Sequence, residues 1–166
     1  MLLVVDNGSI YTKQLTDFLT QKKFSFEKYT PDTLELNSLK KYESIILSGR
    51  RKNDKKINEI NSKVIKYSID NNKKLLGICN GAEILALTLG GTIRKSTSIQ
   101  KGDEIIEILE NNLTSKKSIT VFESHAFEIS KLPPMLITTG KSKNCKYEII
   151  KHKEKSIFGT QFHPEM

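Results

Sequence analysis

Short apolar runs that alternate with amphipathic helical stretches constrain the fold of this chain more than any other feature. Residues 2–5 form a continuous apolar run that ends in Asp6-Asn7-Gly8-Ser9, which is typical of a buried strand followed by a turn and a helix start. Strand patterns recur at 24–29, 44–47 and 74–78, and apolar residues at helical spacing fall within 11–19, 57–65 and 82–89. This alternation predicts right-handed crossovers and a parallel sheet covered on both faces.

The pattern changes after Gly90-Gly91. Five later segments favour strands linked by short turns: 103–109, 118–122, 135–139, 147–151 and 156–162. We therefore predict an α/β fold with an open, mostly parallel central sheet, helices on both faces, and extra antiparallel or mixed strands in the C-terminal half. With 166 residues and no linker, repeat or low-complexity segment, the chain is expected to form one domain, residues 1–166.

Composition argues against several kinds of partner. The net charge of +8 comes mostly from scattered lysines, which is typical of a solvated surface, and no basic strand with interleaved aromatics indicates nucleic-acid binding. The N-terminal apolar run stops at Asp6, too early for a secretory signal or a membrane span, so we expect a cytoplasmic protein without a membrane partner. Cys79 and Cys145 are then expected to remain thiols.

Gly77-Ile78-Cys79-Asn80-Gly81 joins a predicted buried strand to a predicted helix. A nucleophile at such a strand-to-helix turn needs small residues on both sides, because the helix must approach the strand closely. We therefore predict that Cys79 is a nucleophile. The helix N-terminus is expected to lower the pKa of its thiol, and the backbone amide of Asn80 is expected to donate to a developing oxyanion.

The base is sought among His125, His152 and His163. His163 is favoured, because it follows a predicted strand in the segment QFHPE, where proline fixes the turn and Glu165 can orient the imidazole. Cys79, His163 and Glu165 are the predicted triad. His152 lies in a lysine-rich stretch and is expected to be solvated, while His125 is left between a structural role and a contact with substrate or partner.

Five motifs together resemble the class I glutamine amidotransferase family, and within it the free-standing glutaminase subunits of archaeal GMP synthases. Residues 6–11 are similar to D-N-G-x-x-Y, 45–49 to the oxyanion-strand motif, 76–81 to the elbow, 124–128 to S-H-x-D-E, and 159–165 to G-x-Q-F-H-P-E. The match runs nearly end to end. The elbow followed by H-P-E is a highly specific combination.

The resemblance implies the flavodoxin-like fold of that family and a thiolate attack on the γ-carboxamide of glutamine. A γ-glutamyl thioester would form, ammonia would leave, and water would release glutamate, with His163 moving the protons. Ammonia would pass to a synthetase, which must be a separate subunit because this chain contains no phosphate loop. Neither a metal nor a cofactor is implied, and the sequence shows no metal-ligand cluster.

The resemblance also assigns an oxyanion region, Gly49, Arg50 and Asn80, and a substrate-binding set, Glu83, Ser124 and His125. Two of these positions depart from the family pattern. Glu83 replaces a glutamine that helps to hold the substrate. An ionised carboxylate there only accepts hydrogen bonds, whereas a buried, protonated Glu83 would behave much like glutamine, and the sequence leaves both alternatives open. Arg50 replaces the second glycine of S-G-G-P-G, which restricts the backbone or offers a cation to an anionic group.

A third departure changes the segment that communicates with the synthetase in GMP synthase relatives, because Phe127 stands in place of an acidic residue. Three hypotheses remain open from the sequence. The first is a glutaminase that supplies a separate synthetase; the second is a divergent amidase or γ-glutamyl hydrolase with another small-molecule amide substrate. The third is a non-catalytic subunit that regulates a partner.

Overall fold

The computed structural model describes residues 1–110 and 115–166. Within these residues the chain forms nine strands, three α-helices and one 3-10 helix. In chain order they are β1 (Leu2–Val5), α1 (Thr12–Gln21), β2 (Phe26–Tyr29), the 3-10 helix (Leu36–Lys41), β3 (Ser44–Leu47), α2 (Lys55–Asp70), β4 (Lys74–Ile78), α3 (Asn80–Thr88), β5 (Thr92–Ile108), β6 (Ser118–Lys131), β7 (Leu136–Lys141), β8 (Ile149–His152) and β9 (Ile157–Thr160).

All these strands join one sheet in the order β2-β1-β3-β4-β9-β8-β7-β5-β6. The first five in this order run parallel, and the pairs from β9 to β8 onward are antiparallel. The predicted mixed sheet is confirmed, including its division into a parallel N-terminal part and an antiparallel C-terminal extension. The prediction of one domain stays a prediction.

Helices cover both faces of the parallel part. Leu15 and Leu19 of α1 pack with Val4 and Ile78 on one face. On the other face, α2 and α3 contribute to a larger core that surrounds Leu3, Ile45 and Leu75. This follows from the sequence, because strands covered on both sides must be apolar on both faces, as β1 and β3 are. No helix in the described parts of the chain is long and apolar enough to span a bilayer.

The hairpin of β5 and β6 is much longer than the sequence predicted. Strands were expected only at 103–109 and 118–122, whereas the two strands run through Thr92–Ile108 and Ser118–Lys131. Their added parts are rich in polar residues and mostly exposed or half-buried, so they carry no apolar run. Cross-strand hydrogen bonding imposes the strand there, with register shifts between Thr92 and Ile93 and between Lys95 and Gln100.

Two glycines allow α3 to approach the sheet at the end of β4. A Cβ on Gly77 would lie 2.5 Å from the backbone carbon of Gly81, and one on Gly81 would lie 2.6 Å from the carbonyl oxygen of Leu47. Both distances are below any contact that a real Cβ makes with backbone. The strand and the helix therefore meet at a separation that only glycine permits, and Cys79 lies between them.

We expect Gly77→Ala to destabilise the protein by about 3 kcal/mol or more, because its methyl group would overlap backbone that cannot move without displacing α3. Gly90→Asn is the control, since open space surrounds Gly90 and only its φ of +96° opposes a side chain. That variant should cost about 1 kcal/mol. Urea unfolding measures both, and equal losses would contradict the close-approach explanation.

Candidate active site

Cys79 occupies the turn between β4 and α3 with φ of +50° and ψ of −105°. This is a strained conformation for a residue with a side chain. It is held on one side by the backbone amide of Cys79, which donates to the carbonyl of Thr160 in β9 (2.7 Å). On the other side, the amides of Ala82 and Glu83 donate to the Cys79 carbonyl. The strain is thus balanced by the start of α3 and by the neighbouring strand.

His163 and Glu165 lie in the turn that follows β9. The Nδ1 of His163 is 2.8 Å from the Oε1 of Glu165, and their side chains are 3% and 1% exposed. Because a carboxylate only accepts, Nδ1 carries the hydrogen and Nε2 is left to accept a proton. The backbone amide of His163 donates to the Phe122 carbonyl of β6 (2.9 Å), which fixes the turn against the long hairpin.

Gly49 is the point at which the nucleophile and the base converge. A Cβ placed on this glycine would lie 3.6 Å from the Cβ of Cys79 and 3.0 Å from the Cε1 of His163. The loop that follows β3 therefore reaches both side chains. The triad geometry is consistent with the sequence prediction, and the individual catalytic roles remain predictions.

Tyr11, the last residue of the motif at 6–11, contacts the predicted base, although the motif alone indicates no role for it. Its ring centroid lies 4.6 Å from that of His163 at 60°, and its hydroxyl donates to the Oγ of Ser124 (3.1 Å). The carbonyl of Ser124 in turn accepts from the thiol of Cys79 at 4.0 Å. Tyr11 and Ser124 therefore support the base and the nucleophile respectively.

A buried network of amides positions the loop that carries Gly49. Asn7 donates from its backbone to the Oγ of Ser48 (2.9 Å) and from its side chain to the Ser48 carbonyl (2.9 Å). Asn61 of α2 donates to the Oδ1 of Asn7 (2.7 Å). The network joins the loop after β1, the loop after β3 and α2, which are distant in sequence. The local sequence around Asn61 therefore gives no sign that this residue supports the site.

Arg50 has ordinary backbone torsions in place of a glycine conformation, since the residues with positive φ other than glycine are Lys23, Asn72 and Cys79. Its Nη1 donates to the Oδ1 atoms of Asn53 (2.7 Å) and Asn58 (2.6 Å). Partial burial lowers the pKa of Arg50, against an opposing effect of Glu83 and Cys79. The guanidinium is thus fixed at the rim of the site, and its role at the oxyanion stays a prediction.

Glu83 lies on the wall of a pocket of about 220 Å³ that also contains Cys79, Arg51 and Phe127. Its carboxylate is 4% exposed and accepts from the side-chain amides of Asn80 (3.1 Å) and Gln161 (3.2 Å). These two donors offset the cost of burying the charge. Gln161 belongs to the QFHPE segment but was not predicted to touch this position.

The prediction that the helix N-terminus lowers the pKa of the Cys79 thiol was wrong. Burial, followed by the negative charge of Glu83, raises the pKa of the Cys79 thiol well above its ordinary value, and Glu123 and Glu165 act in the same direction. The amide of Asn80 at the helix start lowers this pKa, but it is outweighed. The resting residue is therefore a thiol, which must give its proton to a base before it attacks.

The two remaining histidines have different environments. His125 lies on the wall of the Cys79 pocket with its side chain 1% exposed, so a structural role and a contact with substrate or partner both stay open. The prediction that His152 is solvated was wrong, because it is 7% exposed and its Nδ1 accepts from the backbone amides of Glu154 and Lys155 (both 3.1 Å). Burial lowers the pKa of His152. The neighbouring lysines conceal this burial from any pattern in the sequence.

A family model of class I glutamine amidotransferase matches residues 3–166. The chain belongs to this family. The particular relatives it resembles are the A subunits of glutamine-hydrolyzing GMP synthases. That of Pyrococcus furiosus is 32% identical over 100% of this chain and 89% of the relative, and that of Thermoplasma acidophilum is 32% identical over 99% and 84%.

Solved structures agree with this assignment. The crystal structure of a GMP synthase A subunit from Thermoplasma acidophilum has a TM-score of 0.89 at 29% identity, covering 99% of this chain and 84% of its own. A glutamine amidotransferase from Thermotoga maritima has a TM-score of 0.85 at 20% identity, covering 99% and 76%, which shows the shared fold alone. The predicted family and fold class are therefore confirmed.

We expect Glu83→Gln to increase the rate at which iodoacetamide alkylates Cys79 at pH 7.5 by about fivefold. Removing the carboxylate removes one cause of the raised thiol pKa, so more thiolate is present at this pH. Glu59→Gln, an exposed change on α2, is the matched control and should leave the rate unchanged. Mass spectrometry of the Cys79 peptide gives the rate, and an unchanged or slower reaction in Glu83→Gln would contradict the electrostatic assignment.

Proposed function

We propose that this protein is a glutaminase that releases ammonia from glutamine for use by a separate synthetase subunit. The observation that carries the proposal is the convergence of Cys79 with the His163–Glu165 pair at Gly49 in a chain of the class I glutamine amidotransferase family. The relatives named above are described as glutamine-hydrolyzing. We place the reaction in the cytoplasm, where Cys79 would remain reduced.

In the first half of the reaction, Nε2 of His163 takes the thiol proton of Cys79 as sulfur attacks the δ carbon of glutamine. The carboxamide oxygen becomes an oxyanion within reach of the backbone around Gly49 and Asn80. His163 then returns the proton to the nitrogen, the C–N bond breaks, and ammonia leaves. Glu165 stabilises the imidazolium that exists between these two transfers.

The second half repeats these steps with water. His163 takes a proton from a water molecule as it attacks the γ-glutamyl thioester. The C–S bond then breaks, glutamate leaves, and the proton returns to the sulfur of Cys79. The raised thiol pKa suits this step, because a thiol that holds its proton does not reverse the hydrolysis.

Glu83 supports a second candidate, a hydrolase of another γ-glutamyl or amide compound. Its carboxylate faces the pocket of Cys79, where a substrate carboxylate would be repelled and an ammonium or other donor group would be attracted. Glutamine satisfies this requirement only if its α-ammonium lies toward Glu83. The two candidates share the same covalent chemistry and differ in the group that occupies this end of the pocket.

The test is release of ammonia from glutamine, compared with a panel of γ-glutamyl amides and simple carboxamides. We expect turnover of glutamine by the unaltered chain and a loss of at least about a thousandfold in Cys79→Ser. Glu165→Gln should lower kcat about a hundredfold with little change in KM, because the imidazolium loses its counter-charge in the transition state.

His152→Asn is the control for these variants, because His152 is a buried histidine outside the site. The side-chain oxygen of asparagine can accept the two backbone hydrogen bonds that Nδ1 of His152 accepts. Activity with another amide and none with glutamine would select the second candidate. If no amide is turned over and no acyl adduct forms on Cys79, with or without a synthetase present, the enzymatic proposal is wrong.

A further inference from the structure

Three buried ionisable side chains lie on the wall of the Cys79 pocket or next to it and have no part in the reaction described above. Glu123 and His125 belong to β6, and Glu148 precedes β8. They are 2%, 6% and 1% exposed. Burying two carboxyl groups and an imidazole together is costly unless their charges cancel, so their protonation states are constrained by their positions.

The surroundings of His125 favour an imidazolium over a neutral imidazole. Its Nδ1 lies 2.8 Å from the carbonyl oxygen of Phe127, which only accepts, so Nδ1 carries a hydrogen. Its Nε2 lies 3.0 Å from the Oε2 of Glu123, a close contact of opposite charges without good hydrogen-bond geometry. A bare Nε2 lone pair would face a carboxylate oxygen there, and a proton on Nε2 converts this repulsion into an ion pair. Burial alone lowers the pKa of His125, but the combined effects of Glu123, the Phe127 carbonyl and Glu83 outweigh it and raise the pKa overall.

Glu123 and Glu148 also need a proton between them. Neither oxygen of Glu123 has a hydrogen bond of good geometry within the described residues, although His125 and Glu148 both lie close to it. Two adjacent buried carboxylates would repel each other strongly, and a proton on Glu148 removes that repulsion. Burial, and then the charge of Glu123, raises the pKa of Glu148 to about 9. Within the described part of the chain, no cluster of three or more His, Cys, Asp or Glu side chains has an arrangement that could hold a metal ion.

Other charged groups around these three side chains do not change this balance. Glu83 of α3 faces His125, while Glu104 of β5 and the hydroxyl of Ser142 face Glu148. Glu128 is paired with Arg94 (2.7 Å). The thiol of Cys145, next to Glu148, has its pKa raised by burial and remains neutral. The three side chains therefore carry one positive charge, one negative charge and one shared proton.

The group is connected to the nucleophile by charge and by backbone. Glu123 is one of the carboxylates that oppose ionisation of Cys79. Ser124, between Glu123 and His125, accepts the thiol hydrogen bond of Cys79 on its carbonyl. His125 thus lies where its positive charge offsets Glu123 and its ring holds the pocket wall in place.

We propose that His125 is a charge-balancing and positioning residue of the active site, whose imidazolium neutralises Glu123 beside Cys79 while Glu148 holds the proton that keeps this buried trio at zero net charge. The proposal rests on the proposed function only in taking Cys79 as the nucleophile. Its test follows thiol reactivity instead of turnover, so that failure of the glutaminase assignment would not disguise its own failure.

The test is the rate of iodoacetamide alkylation of Cys79 at pH 7.5, followed by mass spectrometry. His125→Asn retains a donor for the Phe127 carbonyl but leaves Glu123 uncompensated, so alkylation should slow about tenfold. In the double variant His125→Asn and Glu123→Gln, the net charge returns to zero and the rate should recover to within about threefold of the original.

His152→Asn, which changes a buried histidine outside the site, is the control and should react like the unaltered protein. If His125 were needed only for packing, the double variant would be at least as slow as the single one. That result, or an unchanged rate in His125→Asn, would overturn the proposal.

The proton on Glu148 is tested through stability. Because the folded-state pKa of Glu148 is raised from 4.5 to about 9, its stabilising protonated form is fully present below pH 4.5 and is lost as the pH rises toward 9. The urea midpoint of the unaltered protein should therefore fall relative to that of Glu148→Gln between pH 5 and pH 9. Gln donates to Glu123 without titrating, and parallel midpoints across this range would show that Glu148 holds no such proton.

Discussion

The parallel pairing of β4 with β9 is the constraint on which the site depends. These strands are adjacent in the sheet, and Ile78 is paired with Thr160. Parallel neighbours end at the same edge of a sheet, so the residues that follow them, Cys79 and the turn with His163 and Glu165, are brought together without any local contact in sequence. The amide of Cys79 closes the arrangement by donating to Thr160. The glycines around the turn then allow α3 to begin immediately after the nucleophile.

Negative charge is the second organising feature of the site. Glu83, Glu123 and Glu165 surround the thiol, and each carboxylate has a different partner. Glu83 accepts from two side-chain amides, Glu123 lies against the imidazole of His125, and Glu165 pairs with the imidazole of His163. Two His–Glu pairs therefore lie near one cysteine. Within the described residues, Nε2 of His163 makes no hydrogen bond and can transfer a proton, whereas Nε2 of His125 lies 3.0 Å from a buried carboxylate oxygen of Glu123. This difference is the basis for predicting His163 as the base and for proposing that His125 adjusts the charge beside Cys79.

Much of the fold could be predicted because its parallel strands are short, apolar and separated by periodic helices. The convergence of Cys79 with His163 and Glu165 could be anticipated because a cysteine between two glycines and a histidine before proline are unusual local arrangements, while their catalytic roles stay predictions. The length of β5 and β6 could not, since polar strands are defined by their pairing. The acidity of Cys79 could not either, because the carboxylates that oppose its ionisation come from α3, β6 and the last turn. Burial of His152 was hidden by its charged neighbours.

The position of β9 has a consequence for the order in which the enzyme becomes active. This strand follows the other described strands in the chain but lies fifth in the sheet, between β4 and β8. The centre of the sheet is therefore completed by residues that are synthesised after the other described strands. Contacts between segments so distant in sequence form slowly, since the intervening chain must first be ordered. Until β9 is inserted, Cys79 has neither its base nor the backbone contact that holds its strained torsions. Before this step the chain would therefore carry a cysteine that cannot catalyse, and catalytic competence would arise together with closure of the sheet.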